Sequence, residues 1–151
     1  MTQLTQTSFM EAALEEARAA GQRGEVPVGC VIARNGEVVA REGNRTVQNR
    51  DPTAHAEMLT LRAAAMVCGS ERLIDCDLYV TLEPCTMCAG AISLARIRRL
   101  YCGAADAKGG AVESGVRFFS SPTCHHVPEV YGAVGETEAA TLLKDFFMVR
   151  R

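Results

Sequence analysis

A tight hairpin followed by alternating helical and strand-like segments most strongly limits the folds open to this chain. Residues 26–42 hold two short β-branched runs separated by Asn35-Gly36, a dipeptide that suits a two-residue turn because both residues tolerate positive φ. Helical periodicity then alternates with apolar, strand-like runs at 77–82 and 99–104. This order predicts a three-layer α/β/α sandwich with a central mixed sheet rather than a helical bundle or an all-β barrel.

Periodicity and end signals place the first two helices. An apolar stripe at 9–20 predicts a helix that Gly21 ends. Asp51-Pro52 is predicted to begin a second helix reaching about Val67, because Asp caps free amides and Pro is favoured in a first turn.

The second half of the chain is predicted to hold two more helices. One should follow the strand at 77–82 directly, over 84–97, and an amphipathic helix should close the chain over 136–151. The glycine-rich segment 106–135 receives no regular element. No internal repeat or linker is apparent, so we predict one domain over residues 1–151.

Composition bounds the class of protein and its partners. Hydrophobic residues make up 48% of the chain and charged residues 23%, which is typical of a globular protein. The formal net charge of −2 gives no general reason to bind nucleic acid, so an RNA partner would need a local basic patch. Acidic residues near the N-terminus and the absence of a long apolar run argue against a secretory signal or a membrane span. We therefore expect a cytoplasmic protein with no membrane partner.

Two of the seven cysteines have the spacing of a metal site. Cys85 and Cys88 fall on one face of the first turn of the predicted third helix, where the helix dipole favours thiolates. Two thiolates and one imidazole would form a three-ligand zinc shell with an open fourth position, which is typical of catalytic zinc. His55 is the obvious third ligand, because His125 and His126 stand side by side in an irregular segment. The other cysteines are expected to be buried thiols rather than disulfides.

Glu57 follows His55 by two positions, at the start of an otherwise apolar helical run. At a first turn its long side chain can reach back to a water held at the metal. Two thiolates neutralise Zn²⁺, so that water is less acidified than in an all-histidine site and a general base becomes useful. The base would take the water's proton, leave hydroxide to attack an electrophilic carbon, and return protons to a ring nitrogen and the departing amine. The pattern predicts hydrolytic deamination.

The order H-x-E followed by P-C-x-x-C is a known signature of zinc deaminases that act on cytosine or adenine. Three alternatives remain at this stage. The first is a structural zinc site, which would need a fourth ligand and no glutamate. The second is a non-catalytic RNA-binding zinc protein, which would need no glutamate either. The third is a deaminase of free guanine or cytosine, which would share the zinc core. Cys124-His125-His126 is not expected to form a second metal site, because adjacent ligands rarely share one tetrahedral ion, so one zinc per chain is expected.

Longer stretches resemble one family. DPTAHAE at 51–57, LYVTLEPCTMCAGAI at 78–92, GAADAKGGA at 103–111 and the terminal FF…RR closely resemble the bacterial tRNA-specific adenosine deaminases, and the resemblance covers nearly the whole chain. It implies a cytidine-deaminase-like fold, a homodimer and one Zn²⁺ per chain. It also implies hydrolysis of the wobble adenosine to inosine in the anticodon of an arginine tRNA.

The same resemblance assigns roles to individual residues. His55, Cys85 and Cys88 would be the zinc ligands, and Glu57 would be the proton shuttle. Six further residues would contact the substrate: Val28 and Pro84 at the base, Asn44 at the flipped nucleotide, Asp106 near the RNA backbone, and Phe147 and Arg150 on a terminal helix that grips the anticodon loop. Unpaired bases in such a loop are cheaper to extrude than bases in a duplex.

The chain departs from the family pattern at its C-terminal end and in the irregular segment. Met148 stands where many members carry Arg, and the sequence stops at Arg151, so less basic surface is expected there. His125 stands where many members have Asn before a His that matches His126. These changes bear on RNA contact rather than on the chemistry.

Overall fold

A five-stranded sheet forms the middle layer of the computed structural model, which describes residues 6–150. Its strands are β1 (Gly29–Arg34), β2 (Glu37–Gly43), β3 (Cys76–Leu82), β4 (Arg99–Ala104) and β5 (Glu129–Tyr131). They lie in the order β2-β1-β3-β4-β5. β1 pairs antiparallel with both of its neighbours, whereas β3, β4 and β5 are parallel, so the sheet is mixed as predicted.

Helices cover both faces of the sheet. α1 (Gln6–Gln22) and α4 (Glu136–Val149) pack on one face, and α2 (Ala56–Cys68) and α3 (Thr86–Leu94) lie on the other. A single 3₁₀ turn covers Phe118–Ser120. The three-layer sandwich predicted from the sequence is confirmed. None of the helices within residues 6–150 combines the length and the apolar character that a membrane span requires.

Strand alternation divides the core between the two faces. Val31 and Tyr79 point into the layer that contains α1 and α4, while their neighbours Ile32 and Val80 point into the layer that contains α2 and α3. Tyr79, Tyr101 and Tyr131 occupy matching positions on β3, β4 and β5, and their rings stack at centroid distances of 4.4 and 4.9 Å. The stacked rings, of which Tyr79 and Tyr101 are buried and Tyr131 is exposed at the sheet edge, help to fix the register of the parallel strands.

The predicted hairpin is confirmed, because Asn35 and Gly36 connect β1 to β2 with φ of 52° and 77°. The predicted start of the second helix is wrong. Asp51 does not cap a helix: its carboxylate accepts the amide N–H and hydroxyl of Thr53, at 2.8 and 2.7 Å. This local turn competes with helix formation, and α2 begins only at Ala56, with His55 as its N-cap.

The irregular segment 106–135 contains more structure than the sequence indicates. It holds the 3₁₀ turn and β5, an edge strand of three residues that pairs only with β4. The remaining helices match their predictions with shifted ends, since α1 extends to Gln22 and α3 ends at Leu94. α4 ends at Val149, and Arg151, the last residue of the predicted helix, lies outside the described residues.

Candidate active site

A cleft of about 330 Å³ opens where β2, β3 and β4 end and β1 begins. Val28 precedes β1, Asn44 follows β2, Cys85 follows β3 and Asp106 follows β4, and all four line the cleft. Because β1 is antiparallel to its neighbours, its start meets their carboxyl ends at one edge of the sheet. This edge is where α/β sheets usually bind their ligands.

Three potential metal ligands meet at the floor of this cleft. The Nδ1 atom of His55 lies 3.6 Å from Sγ of Cys85 and 3.5 Å from Sγ of Cys88. All three ligand atoms lie within 4.8 Å of one another. No other cluster of three His, Cys, Asp or Glu side chains with such geometry occurs in residues 6–150. The donor set of one imidazole and two thiols fits zinc, and it leaves a fourth position open towards the cleft.

Two helix N-termini hold these ligands. His55 is the N-cap of α2 and Cys85 is the N-cap of α3, both with extended backbone, and neither uses its side chain to cap the helix. Cys88 lies one turn into α3 and is fully buried. Because both helices direct their positive ends at the cluster, the site favours thiolates.

The pKa values of the three ligand side chains are shifted in different directions. Hydrogen bonds with Cys88 and with His55 lower the pKa of Cys85 to about 4. The hydrogen bond with Cys85 raises the pKa of Cys88, and burial raises it further. The Cys85 thiolate in turn raises the pKa of His55 through their hydrogen bond. Because a metal binds the thiolate form of cysteine and the neutral form of histidine, metal binding at this cluster would be coupled to proton release.

Glu57 lies in the first turn of α2, and its carboxyl group faces the same cleft. The residue is only 4% exposed. Burial raises the pKa of Glu57 above its ordinary value. A buried carboxyl group beside an open ligand position can accept and return protons, which is the task of a general acid and base.

The predicted substrate residues divide into two groups. Val28, Asn44 and Asp106 share the cleft with the ligand cluster. Oδ1 of Asn44 accepts the amide N–H of Ala56 at 2.8 Å, so this side chain also fixes the start of α2. Pro84 is buried behind the cleft wall, where its carbonyl oxygen accepts the amide N–H of Ala111 at 2.9 Å.

The terminal helix contributes the second group, which does not line the cleft. Phe147 on α4 is 49% exposed and contacts Phe146 edge to face, with centroids 5.3 Å apart. The guanidinium of Arg150 lies 3.7 Å from the centroid of the Phe146 ring. The structure therefore separates these two residues from the ligand cluster.

His125 and His126 do not form a second metal site. Nε2 of His126 lies 2.6 Å from the carbonyl oxygen of Ile97, and His125 is exposed. The thiol of Cys124 donates to the carbonyl oxygen of His126, and so does the hydroxyl of Ser93. These contacts attach the segment before β5 to the end of α3, which is a structural role.

Two buried acidic residues beside the cleft, Glu25 and Glu83, were not identified from the sequence. Glu25 accepts the amide N–H groups of Val47 and Gln48 at 3.1 and 2.8 Å, and so holds the loop after β2. Glu83 lies directly after β3 and holds residues 105–115, here called the Asp106 loop. The position of Glu83 between a buried strand and the Pro84-Cys85 pair was the signal that could have identified it.

This fold, with a zinc-type ligand cluster and a buried glutamate at the end of its strands, defines a class of metal-dependent nucleobase deaminases. Residues 4–104 match the family model described as the cytidine and deoxycytidylate deaminase zinc-binding region. The chain belongs to this family. Members are hydrolases that act on C–N bonds.

Individual relatives narrow the comparison. The chain is 63% identical to a tRNA-specific adenosine deaminase from Agrobacterium fabrum, over 96% of the chain and 95% of that protein. It is 43% identical to a tRNA-specific adenosine deaminase from Rickettsia bellii, over 91% of the chain and 97% of that protein. A solved structure described for A-to-I editing by tRNA:A34 deaminases at the wobble position of transfer RNA matches with a TM-score of 0.90 and 64% identity. That match covers 91% of the chain and all of the solved chain.

Proposed function

We propose that the chain is a zinc-dependent tRNA adenosine deaminase that converts the wobble adenosine of an arginine tRNA to inosine in the cytoplasm. The observation that carries the chemistry is the open cluster of His55, Cys85 and Cys88 with Glu57 buried beside it. The choice of tRNA as substrate is supported by the high identity to relatives named for that reaction.

Each residue of the cluster has a defined task in this proposal. His55, Cys85 and Cys88 would hold zinc, which when bound supplies a Lewis acid that makes water a stronger nucleophile. Glu57 takes one proton from the attacking water and delivers it to the adjacent ring nitrogen, and it then takes the second proton from the newly added hydroxyl group and delivers it to the departing amino group. Water adds to the carbon that carries the amino group, the C–N bond breaks, and ammonia and inosine are the products. The burial of Glu57 keeps bulk water from competing for these protons.

The walls of the cleft suit a base that has been removed from its stack. Val28 offers an apolar surface at the mouth. The side-chain oxygen Oδ1 of Asn44 accepts the amide N–H of Ala56, which leaves the side-chain NH₂ of Asn44 to donate to an acceptor atom of the nucleotide. We propose that Pro84 supports the base pocket from behind, that Asp106 lies near the RNA backbone, and that Phe147 and Arg150 contact the anticodon loop.

We also propose that the chain acts as a homodimer. Apolar side chains are strongly exposed near the end of α2 (Met66, 83%), at the end of α3 (Leu94, 73%) and in the loop before β3 (Ile74, 68%). Ile74 and Leu94 are close because the amide of Leu73 donates to the carbonyl oxygen of Ala95. A second copy would remove such a surface from water. Light scattering should give about twice the mass of one chain, and a monomer at micromolar concentration would contradict this part of the proposal.

One assay tests the proposed reaction against its nearest rival. Transcribed arginine tRNA with adenosine at the wobble position is compared with free adenosine, guanine and cytosine, and ammonia release and inosine are measured. We expect inosine at the wobble position and no turnover of the free compounds. The same tRNA with guanosine at that position is the matched control and should remain unchanged. Turnover of only the free bases would contradict the choice of substrate, and no ammonia with any of them would favour a non-catalytic zinc protein.

A further inference from the structure

Glu83 has an unusually complete set of hydrogen-bond partners for an acidic residue. Its carboxylate is buried and accepts five hydrogen bonds from the Asp106 loop. Oε2 accepts the amide N–H groups of three successive residues, Val112, Glu113 and Ser114, each at 3.0 Å. Oε1 accepts the amide N–H of Asp106 at 2.9 Å and the hydroxyl of Ser114 at 3.1 Å. Successive amides that converge on one oxygen form an anion-binding nest, which here is filled by the chain's own carboxylate.

The loop is shaped to admit this carboxylate. A Cβ atom at Gly110 would collide with the carboxylate carbon of Glu83, so the close approach requires glycine. Gly110 also donates its amide N–H to the carbonyl oxygen of Asp106 at 2.8 Å. The two ends of the loop are therefore held together around the side chain of Glu83.

The ordered loop forms one wall of the cleft. Asp106 and Gly109 line the cleft opposite Val28 and Asn44. The carboxylate of Asp106 is itself fixed, because Oδ1 accepts the amide N–H groups of Lys108 and Gly109 at 3.1 and 3.0 Å. We propose that Glu83 is a positioning residue that holds the Asp106 loop in the conformation that binds the nucleic-acid substrate. This inference rests on the proposed function for the identity of that substrate.

The same strand provides a matched control. Asp77 lies near the start of β3, at the opposite end from Glu83, and forms a two-pronged ion pair with Arg98 at 2.9 Å. It is also a mostly buried carboxylate, yet it contacts no residue of the cleft wall. D77N therefore removes a buried carboxylate and its charge without touching the Asp106 loop.

The experiment compares E83Q, G110A and D77N with the wild-type protein on a stem-loop RNA that carries the arginine anticodon. Glutamine keeps the shape of Glu83 but replaces one of its two acceptor oxygens with an NH₂ group that faces donors, so the loop loses hydrogen bonds in either orientation of the side-chain amide. We expect KM to rise about tenfold in E83Q and in G110A, with kcat within about twofold and one zinc per chain retained. D77N should leave KM within about twofold, although it lowers the melting temperature. A lowered kcat with unchanged KM in E83Q would mean that Glu83 acts on the catalytic step rather than on substrate binding, and it would overturn the inference.

Amide hydrogen exchange gives a readout that does not depend on activity. In the wild-type protein the amides of Val112, Glu113 and Ser114 should be protected, and E83Q should expose them while β3 and β4 remain protected. Unchanged protection of these amides in E83Q would overturn the inference. If the wild-type protein forms no inosine, the proposed function fails separately, and this exchange pattern alone then decides whether Glu83 orders the loop.

Discussion

The ligand cluster and the terminal helix differ in how firmly the fold determines them. Cys88 and Glu57 are nearly inaccessible, and their positions follow from helices packed on the sheet. On α4, by contrast, Phe147, Met148 and Val149 are 49%, 62% and 78% exposed. In the proposed function the chemistry depends on buried groups, whereas recognition of the tRNA would depend on exposed groups that can change without loss of the fold. Changes in the two regions should therefore produce different kinds of defect.

The largest effect is expected for loss of a ligand. C88S removes one thiolate from the cluster, so bound zinc should fall from about one per chain to near zero and inosine formation by at least about 10³-fold. Metal analysis and a single-turnover assay measure both quantities. The matched control is C124S, which lies outside the cluster and should keep its zinc. Normal zinc content in C88S would contradict the assignment of the cluster.

Asn44 tests whether the cleft wall also supports the ligand cluster. N44A leaves the buried amide N–H of Ala56 without its acceptor, next to His55, so the free energy of unfolding should fall by about 1–3 kcal/mol. Activity should fall as well, because the amide that would contact the nucleotide is lost. Urea denaturation measures the stability, with N49A in the exposed part of the same loop as the control. Equal stability of the two variants would be evidence against the support role.

A smaller effect is expected on the terminal helix. R150A should raise KM for tRNA about threefold to tenfold, leave kcat and zinc unchanged, and alter the free energy of unfolding by less than about 1 kcal/mol. K144A removes the same charge from the same helix and serves as the control. If both variants raise KM equally, net charge rather than a specific contact at Arg150 explains RNA binding.

The smallest effect concerns Glu25, which holds the loop after β2, and the free energy of unfolding at acidic pH. Burial opposes ionisation of Glu25, but hydrogen bonds from the amides of Gln48 and Val47 outweigh it and hold the pKa of Glu25 below its ordinary value of 4.5. A carboxyl group whose pKa is lowered by folding stabilises the folded state at pH values above its ordinary pKa. This stabilisation is lost as the pH falls through the folded-state pKa. The free energy of unfolding should therefore decline less between pH 7 and pH 4 in E25Q than in the wild-type protein. An unchanged decline would contradict this role of Glu25.

The sequence allowed prediction of those features that depend on neighbouring residues. Asn35-Gly36 identified the hairpin, and the apolar runs identified β3 and β4. The start of α2 was missed because Asp51 bonds to Thr53 in a local turn that resembles a helix cap in sequence. β5 was missed because a three-residue edge strand has no periodicity to detect.

The candidate site was predictable to a similar extent. The spacing of Cys85 and Cys88 with His55 and Glu57 was sufficient to propose the cluster that the structure brings together. The position of Glu83 after a buried strand could have marked it as a candidate residue, but the roles of Glu25 and Glu83 were not predictable, because most of their partners are backbone amides more than twenty residues away and backbone groups leave no pattern in a sequence. Long-range pairing of a side chain with a loop requires the folded structure.

The central claim is that Glu57 moves protons at a metal that other residues hold, and the E57A variant tests it most directly. Zinc per chain and the single-turnover rate of inosine formation in arginine tRNA would be measured on the same preparation. We expect about one zinc per chain and a rate lower by about 10²-fold to 10⁴-fold. A variant that retains zinc and deaminates at the wild-type rate would contradict the claim.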